Sequence, residues 1–286
     1  MISAPGKLVL AGEYGVLEGQ PGLAMAVNRR VFLVPSRIPS PSQLWDCVSR
    51  HSQDPLFQLD SRALYEGKLK LGLGSSAAAA VCMAAYADSQ NVYEVALKAH
   101  RKFSGGFGSG IDIAASFTGG FIRFERGVVT SLNPNQNAQY LTCVFSKKTQ
   151  RTSDFLKSFL DFKNRSTKRY DALVETLGQN SDAWQDWWTG ALEWSDVSNL
   201  MMENIQALRQ LETGAGIPIL GHAFDAIECI AGQHGAYVKP SGAGGGDTLL
   251  CFALPEKQEV LHRDLLKAGY GVLNLGYFEP GVQIGE

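Results

Sequence analysis

The spacing of apolar and polar residues divides the chain into a run of short elements. Lys7-Leu8-Val9-Leu10-Ala11 is an apolar run of the length expected for a buried strand. It stops at Gly12-Glu13-Tyr14-Gly15, a turn that carries one acid and one aromatic residue. Gly22 to Val27 and Arg30 to Val34 read as two further strands with Arg29 and Arg30 between them. That pair is either a solvated hairpin end or an anion contact at the mouth of a site. Residues 35–66, rich in Pro, Ser, Asp and Gln, predict a hairpin and loops. Lys68-Leu69-Lys70-Leu71 predicts a strand, followed after a glycine-rich turn by a small-residue helix to about Ala87. Asn91 to Phe103 predicts a second helix with Val92, Val95, Ala96 and Ala99 on one face.

Glycine density is high from Ser104 to Gly110 and then falls abruptly, so a short helix is expected to begin near Ile111. Phe121 to Phe124 and Leu141 to Phe145 predict strands, the latter ending at Ser146-Lys147-Lys148-Thr149. From Thr152 to about Thr213 the period becomes helical. Trp184, Trp187, Trp188 and Trp194 fall in this segment at a spacing that suits a core better than a ligand box. A long helix from Val197 to Leu211, another from His222 to Gln233, strands at 248–252 and 271–275, and a helix at 257–267 complete the pattern, with Ala236 to Pro240 leading into a further glycine-rich stretch. A domain boundary near residue 150 is expected, giving domains of residues 1–150 and 151–286.

Composition narrows the function classes. A formal net charge of -2 offers no field that would draw nucleic acid or an anionic membrane, so neither is expected as a partner. Five cysteines without C-x-x-C spacing argue against a zinc site and a disulfide framework. The start of the chain lacks a signal-type pattern, and no apolar run approaches the roughly 20 residues that span a bilayer. A cytoplasmic setting is the expectation.

The candidate chemistry centres on Gly72-Leu73-Gly74-Ser75-Ser76-Ala77. Glycines allow a sharp turn without an obstructing side chain, a serine can cap the helix that follows, and first-turn N–H groups attract anions. The stretch is either a phosphate cradle or an ordinary turn before an Ala-rich helix. Asp112 is a first-turn acid after a flexible loop, placed either to offset the helix dipole or to point into a cleft. His100, near a helix end, reads by itself as a structural residue.

Three glycine-rich stretches then have to be taken together. Pro5-Gly6-Lys7-x-x-Leu10-x-Gly12-Glu13-Tyr14, Gly72-Leu73-Gly74-Ser75-Ser76-Ala77 and Gly242-Ala243-Gly244-Gly245-Gly246 resemble the three motifs of the GHMP kinases, in family order and nearly end to end. The resemblance implies an α+β, two-domain fold, with a ribosomal S5-like N-terminal domain and a ferredoxin-like C-terminal domain. Ala99-His100 followed by Gly108-Ser109-Gly110-x-Asp112-x-Ala114-Ala115, and the Gly-Gly-Gly-Asp at 244–247, are similar to phosphomevalonate kinases within that family. The chain departs from them in lacking a proline shortly before Gly72.

The resemblance implies cofactors, a substrate and site residues as well. ATP and Mg²⁺ would be the cofactors, and phosphomevalonate or mevalonate the small-molecule substrate, in a monomer or homodimer. Lys7 and Asp112 would form the catalytic pair, and Gly72, Leu73, Gly74, Ser75, Ser76 and Ala77 would hold the ATP phosphates. Ser76 would supply a hydroxyl to the metal. Mevalonate kinases complete the metal site with a glutamate, where this chain has His100 and Arg101 and no acid. The acceptor would meet Lys7, Glu13, Tyr14, Ser109, Gly110, Asp112, Ser241, Gly242, Ala243, Gly244 and Asp247. Arg29, Arg30, Lys147, Lys148 and Lys239 are the cations open to an acceptor phosphate.

Overall fold

The structure, a computed structural model, describes residues 1–38, 42–48, 56–106, 108–147, 155–245 and 248–285. It divides into two compact units. The first comprises Met1–Leu8, Ala24–Leu132 and Leu275–Glu286, and the second Val9–Leu23 and Asn133–Asn274. Both are discontinuous in sequence, unlike the single cut expected near residue 150. In the first unit strand pairing explains the difference, because residues 2–3 pair with residues 283–284; in the second, residues 9–14 are joined to residues 239–243 by side-chain hydrogen bonds and an ion pair.

The first unit is built on strands β1 (Ile2–Ala11) and β2 (Gly22–Pro35). Helix α1 (Gln43–Val48), β3 (Phe57–Asp60), and the small hairpin of β4 (Tyr65–Glu66) and β5 (Leu69–Lys70) come next. Then come α2 (Ser75–Ala87), α3 (Val92–Phe103), α4 (Ile111–Thr118), β6 (Phe121–Glu125) and β7 (Val128–Leu132). The main sheet runs from the C-terminal strand Gln283–Ile284 through β1, β2 and β6 to β7, and β3 also pairs with β2. Residues 77–85 of α2 are all buried, and alanines let the helix lie close to its neighbours. The Cys82 thiol donates to the Val31 carbonyl on β2 at 3.6 Å, and α3 and α4 pack on α2.

Four local expectations change. The segments at 22–27 and 30–34 form one strand, so Arg30 lies in its interior and not at a hairpin end. Its guanidinium donates to Ser3 Oγ and O and to the carbonyls of Pro280 and Gly281, at 2.7–3.2 Å. With its donors so engaged it is a structural tie and not an anion contact. The polar 35–66 region contains α1, whose Leu44, Trp45 and Val48 are buried. Strand β7, which the residue pattern does not predict, forms a hairpin with β6 through Arg126 and Gly127, both at positive φ.

The second unit contains β8 (Leu141–Phe145) and the helices α5 (Phe155–Arg165), α6 (Thr167–Thr189), α7 (Val197–Ala215) and α8 (Phe224–Gly232). It continues with β9 (Tyr237–Pro240), β10 (Thr248–Phe252), α9 (Pro255–Lys267) and β11 (Gly271–Leu273). The strands form an antiparallel sheet in the order β11-β8-β10-β9. Counted along the chain, that order is fourth, first, third, second, the ferredoxin-like arrangement. Trp184, Trp187 and Trp188 are wholly buried. Trp184 and Trp187 stand 5.0 and 5.6 Å from the Phe252 ring on β10, so the cluster is core. Replacing a buried tryptophan removes contact area and leaves a cavity. Trp187→Ala should therefore lower the unfolding free energy by about 3–5 kcal/mol, read from urea denaturation.

Candidate functional site

Within the first unit, expected residues from three segments lie together, and His100 joins them from a fourth. The β4–β5 hairpin ends directly before the loop, and Leu71 and Leu73 anchor it with buried side chains. Gly72 and Gly74 both have positive φ, at 70° and 77°. The Lys7 N–H on β1 donates to the Leu73 carbonyl at 2.9 Å. A Cβ on Gly74 would lie 2.9 Å from Lys7 Cε and 3.0 Å from its Cγ. The lysine stem therefore crosses the face of this glycine, and only a residue without a side chain leaves room for it.

Helix α2 starts immediately after Gly74, which is its N-cap and provides no side-chain cap. The expected serine cap is absent. Ser75 and Ser76 fall inside the first turn, with half-buried side chains. The Ala78 N–H is the first to return to the Gly74 carbonyl, at 3.0 Å. The N–H groups of residues 75–77 thus precede the intrahelical ladder, the arrangement that attracts an anion.

The charges lie beside this turn. Lys7 Nζ stands 3.2 Å from Asp112 Oδ1, with the lysine side chain 7% exposed and the aspartate 37%. Asp112 sits in the first turn of α4, whose N-cap is Gly110 at φ 99°. Ser109 Oγ accepts from the Ile111 N–H at 3.3 Å, and the Arg101 guanidinium holds the Ser109 carbonyl at 3.2 Å. His100, in the last turn of α3, places Nε2 3.1 Å from Ser76 Oγ. Burial holds the imidazole below its ordinary value, Asp112 acts to raise it and Lys7 to lower it. His100 and Ser76 are far apart in sequence, and the spacing carries no sign of their pairing.

The other expected residues form a separate group in the second unit. Lys239 on β9 has no exposed side-chain area and is ion-paired with Glu13, equally buried. Its ammonium also donates to the Leu10 carbonyl at 2.7 Å, and the Asn204 amide of α7 donates to Glu13 Oε2 at 3.3 Å. Burial pushes the Lys239 ammonium down and Glu13 opposes that shift. The Tyr14 hydroxyl donates to the Ala243 carbonyl, and its ring lies 4.2 Å from that of Phe159. Burial, with Glu13 next, raises the Tyr14 phenol above its usual range.

The loop after β9 is fixed from both sides. Ser241 Oγ bridges the N–H and the carbonyl of Val9, each at 3.1 Å. Gly242 has φ 77° and Gly244 φ 73°. A Cβ on Gly244 would stand 1.9 Å from the Ile219 carbonyl, which accepts from the Gly245 N–H at 2.8 Å. Gly246, Asp247, Lys148 and Thr149 lie outside the described residues.

These contacts revise the candidate cations. Lys239 is engaged inside the protein, as Arg30 is, and neither is open to an acceptor phosphate. Arg29 makes a 3.4 Å contact with the Ala63 carbonyl, and Lys147 is exposed. Two signals for the buried pair stood in the sequence. Lys239 is a single cation between Val238 and Pro240 in an apolar strand, and Asn204 falls among Leu200, Met201, Ile205 and Leu208 on the core face of α7. Among the described residues no group of three or more His, Cys, Asp or Glu side chains is arranged to hold a metal. The Ser76 hydroxyl in the first turn of α2 is a hard oxygen of the kind that suits Mg²⁺. Among the described residues no helix is long and apolar enough to cross a membrane.

No family model matches the chain. Curated proteins similar along most of its length include a mevalonate kinase and a phosphomevalonate kinase. Mouse mevalonate kinase is 25% identical over an alignment 378 positions long, covering 99% of this chain and 94% of the mouse protein. Phosphomevalonate kinase of Saccharolobus solfataricus is 26% identical over 303, covering 88% and 89%. Among solved structures, the Lin0012 protein of Listeria innocua superposes with a TM-score of 0.82 at 21% identity, over 100% of this chain and 99% of that one. Methanococcus jannaschii mevalonate kinase gives 0.72 at 15% identity, over 98% of both chains. Streptococcus pneumoniae phosphomevalonate kinase, solved with phosphomevalonate and AMPPNP, gives 0.65 at 17%, over 97% and 99%. The fold is that of the GHMP kinases, and the sequence is similar to mevalonate-pathway members of that superfamily.

The buried pair of the second unit yields a direct test. Lys239→Met would leave the Glu13 carboxylate buried without a cation and should cost about 3–5 kcal/mol of stability. The double variant Lys239→Met/Glu13→Gln removes both charges and should regain most of that loss, measured by urea denaturation.

Proposed function

We propose that the chain is an ATP- and Mg²⁺-dependent small-molecule kinase, with phosphomevalonate as its favoured acceptor. The observation that carries this reading is the Lys7–Asp112 pair beside the glycine loop and the first turn of α2. Phosphoryl transfer needs positioning and charge neutralisation more than covalent help. Backbone N–H groups of residues 72–76 would face the nucleotide phosphates. When bound, Mg²⁺ supplies charge neutralisation across those phosphates, and Ser76 offers it one hydroxyl oxygen. Lys7, its stem fixed across Gly74, would place its ammonium where donor and acceptor meet. Ser109 and Gly110 remain candidates for the acceptor's surroundings. Within the second unit, Glu13 holds Lys239 and Tyr14 holds Ala243 of the loop at 241–244.

The role of Asp112 depends on the acceptor. An alcohol is protonated at neutral pH and needs a base during attack, worth about 10²–10⁴-fold. A phosphomonoester has a second pKa of about 6, so its nucleophilic oxyanion already exists at pH 7. For phosphomevalonate, Asp112 would orient Lys7 and the acceptor instead of removing a proton. The pattern at 99–115 and the similarity to the Saccharolobus enzyme support that acceptor. Mevalonate is the second reading. It gains support from the engagement of Arg30 and Lys239 elsewhere, which leaves fewer cations for an acceptor phosphate.

ADP release measured separately with mevalonate, phosphomevalonate and diphosphomevalonate tests the assignment. Phosphomevalonate should be used best. Asp112→Asn should lose turnover by a factor that changes little between pH 7 and 9, and Lys7→Met should lose at least as much. Use of mevalonate alone would move the assignment to mevalonate kinase, with Asp112 as general base. Turnover of diphosphomevalonate with loss of CO₂ would make the chain a decarboxylase. No ADP from any acceptor, with nucleotide still bound, would leave a ligand-binding regulator.

A further inference from the structure

Ser76 occupies the first turn of α2, where its hydroxyl is a rotor with several orientations open to it. A serine in a helix commonly turns back to the carbonyl four residues earlier. Here its partner is a side chain from a different helix. His100 reaches from the last turn of α3, which packs on α2, to within 3.1 Å of Ser76 Oγ. A neutral imidazole protonated on Nδ1 accepts the hydroxyl hydrogen at Nε2 and leaves both Oγ lone pairs for a cation. Without that acceptor the rotor is free to direct its hydrogen toward the same place.

The rest of this site makes that orientation matter. The last turn of α3 carries His100, Arg101 and Lys102, with no acid among them. Arg101 is engaged with the Ser109 carbonyl. Asp112 faces the Lys7 ammonium. A divalent cation that took a protein oxygen from Ser76 would depend on how that hydroxyl points.

We propose that His100 is a positioning residue for the metal, which acts by orienting the Ser76 hydroxyl toward it. The inference rests on the kinase reading above and assigns His100 a part in that site. It predicts coupling between two side chains that a space-filling histidine would not show. Residues in direct contact are non-additive when each is replaced, and a lost hydrogen bond of ordinary strength corresponds to roughly five- to tenfold in affinity.

The experiment is calorimetric binding of a non-hydrolysable ATP analogue, with and without Mg²⁺, to the wild type, His100→Ala, His100→Gln, Ser76→Ala and the double variant His100→Ala/Ser76→Ala. Thermal melts would confirm that each variant folds. His100→Ala should weaken Mg²⁺-dependent binding about fivefold to tenfold and leave binding in EDTA unchanged. His100→Gln, whose amide oxygen can accept at the same reach, should stay within about threefold of the wild type. In the Ser76→Ala background, His100→Ala should change nothing further. Additive losses, or an equal loss with and without Mg²⁺, would overturn the positioning role and leave the kinase reading standing. A wild type that binds the analogue under neither condition would overturn the nucleotide reading, and the role of His100 with it.

Discussion

The first unit depends on one side chain being held at three heights. The Lys7 backbone is tied to the Leu73 carbonyl, its stem lies across Gly74, and its ammonium meets Asp112. Each contact restricts a different part of the residue, so little of the large side-chain entropy that a lysine normally carries remains. The constraint also runs outward. With the lysine stem in place, residue 74 has no room for a side chain, and the loop at 72–76 takes its shape from a neighbouring strand as much as from its own glycines.

The second unit solves a different electrostatic problem. Lys239 and Glu13 have both left water, which costs each ion its hydration, and attraction within the pair alone does not reliably offset that. Their remaining hydrogen-bonding capacity is met by the Leu10 carbonyl and the Asn204 amide. With Tyr14 on Ala243 and Ser241 on Val9, these contacts fasten residues 9–14 to the loop that follows β9. A buried charge is directional in a way apolar packing is not. The pair thereby adds a directional tie between two segments more than 200 positions apart.

The range of each interaction decides whether it can be read from the sequence. Leu141–Phe145 and Thr248–Phe252 were legible because a strand buried on both faces is a continuous apolar run. The glycine loop and the helix after it were legible because turn chemistry is local. Asp112 stood out locally, as a first-turn acid after a glycine-rich loop, but its pairing with Lys7 came only through the resemblance, since a pair more than a hundred positions apart leaves no periodic trace. Arg30 misled for the opposite reason. Beside Arg29 it looks like a local cationic cluster, whereas its partners are carbonyls some 250 positions away. The pairing of Ser76 with His100 was equally hidden, because it depends on how two helices pack, and no single helix encodes that.

The strand at Gln283–Ile284 has a bearing on how the molecule is made. It adds to the edge of β1 near residues 2 and 3, and the carbonyls of Pro280 and Gly281 occupy the Arg30 guanidinium. The sheet that carries Lys7 therefore joins the beginning of the chain to residues synthesised more than 270 positions later. Contacts of such separation carry a large loop-closure cost and form late. A nascent chain must leave the β1 edge at Ile2 and Ser3 unpaired, and two of the Arg30 hydrogen bonds to water, until those later residues emerge. During synthesis, this is the part of the molecule with most need of shelter from wrong partners.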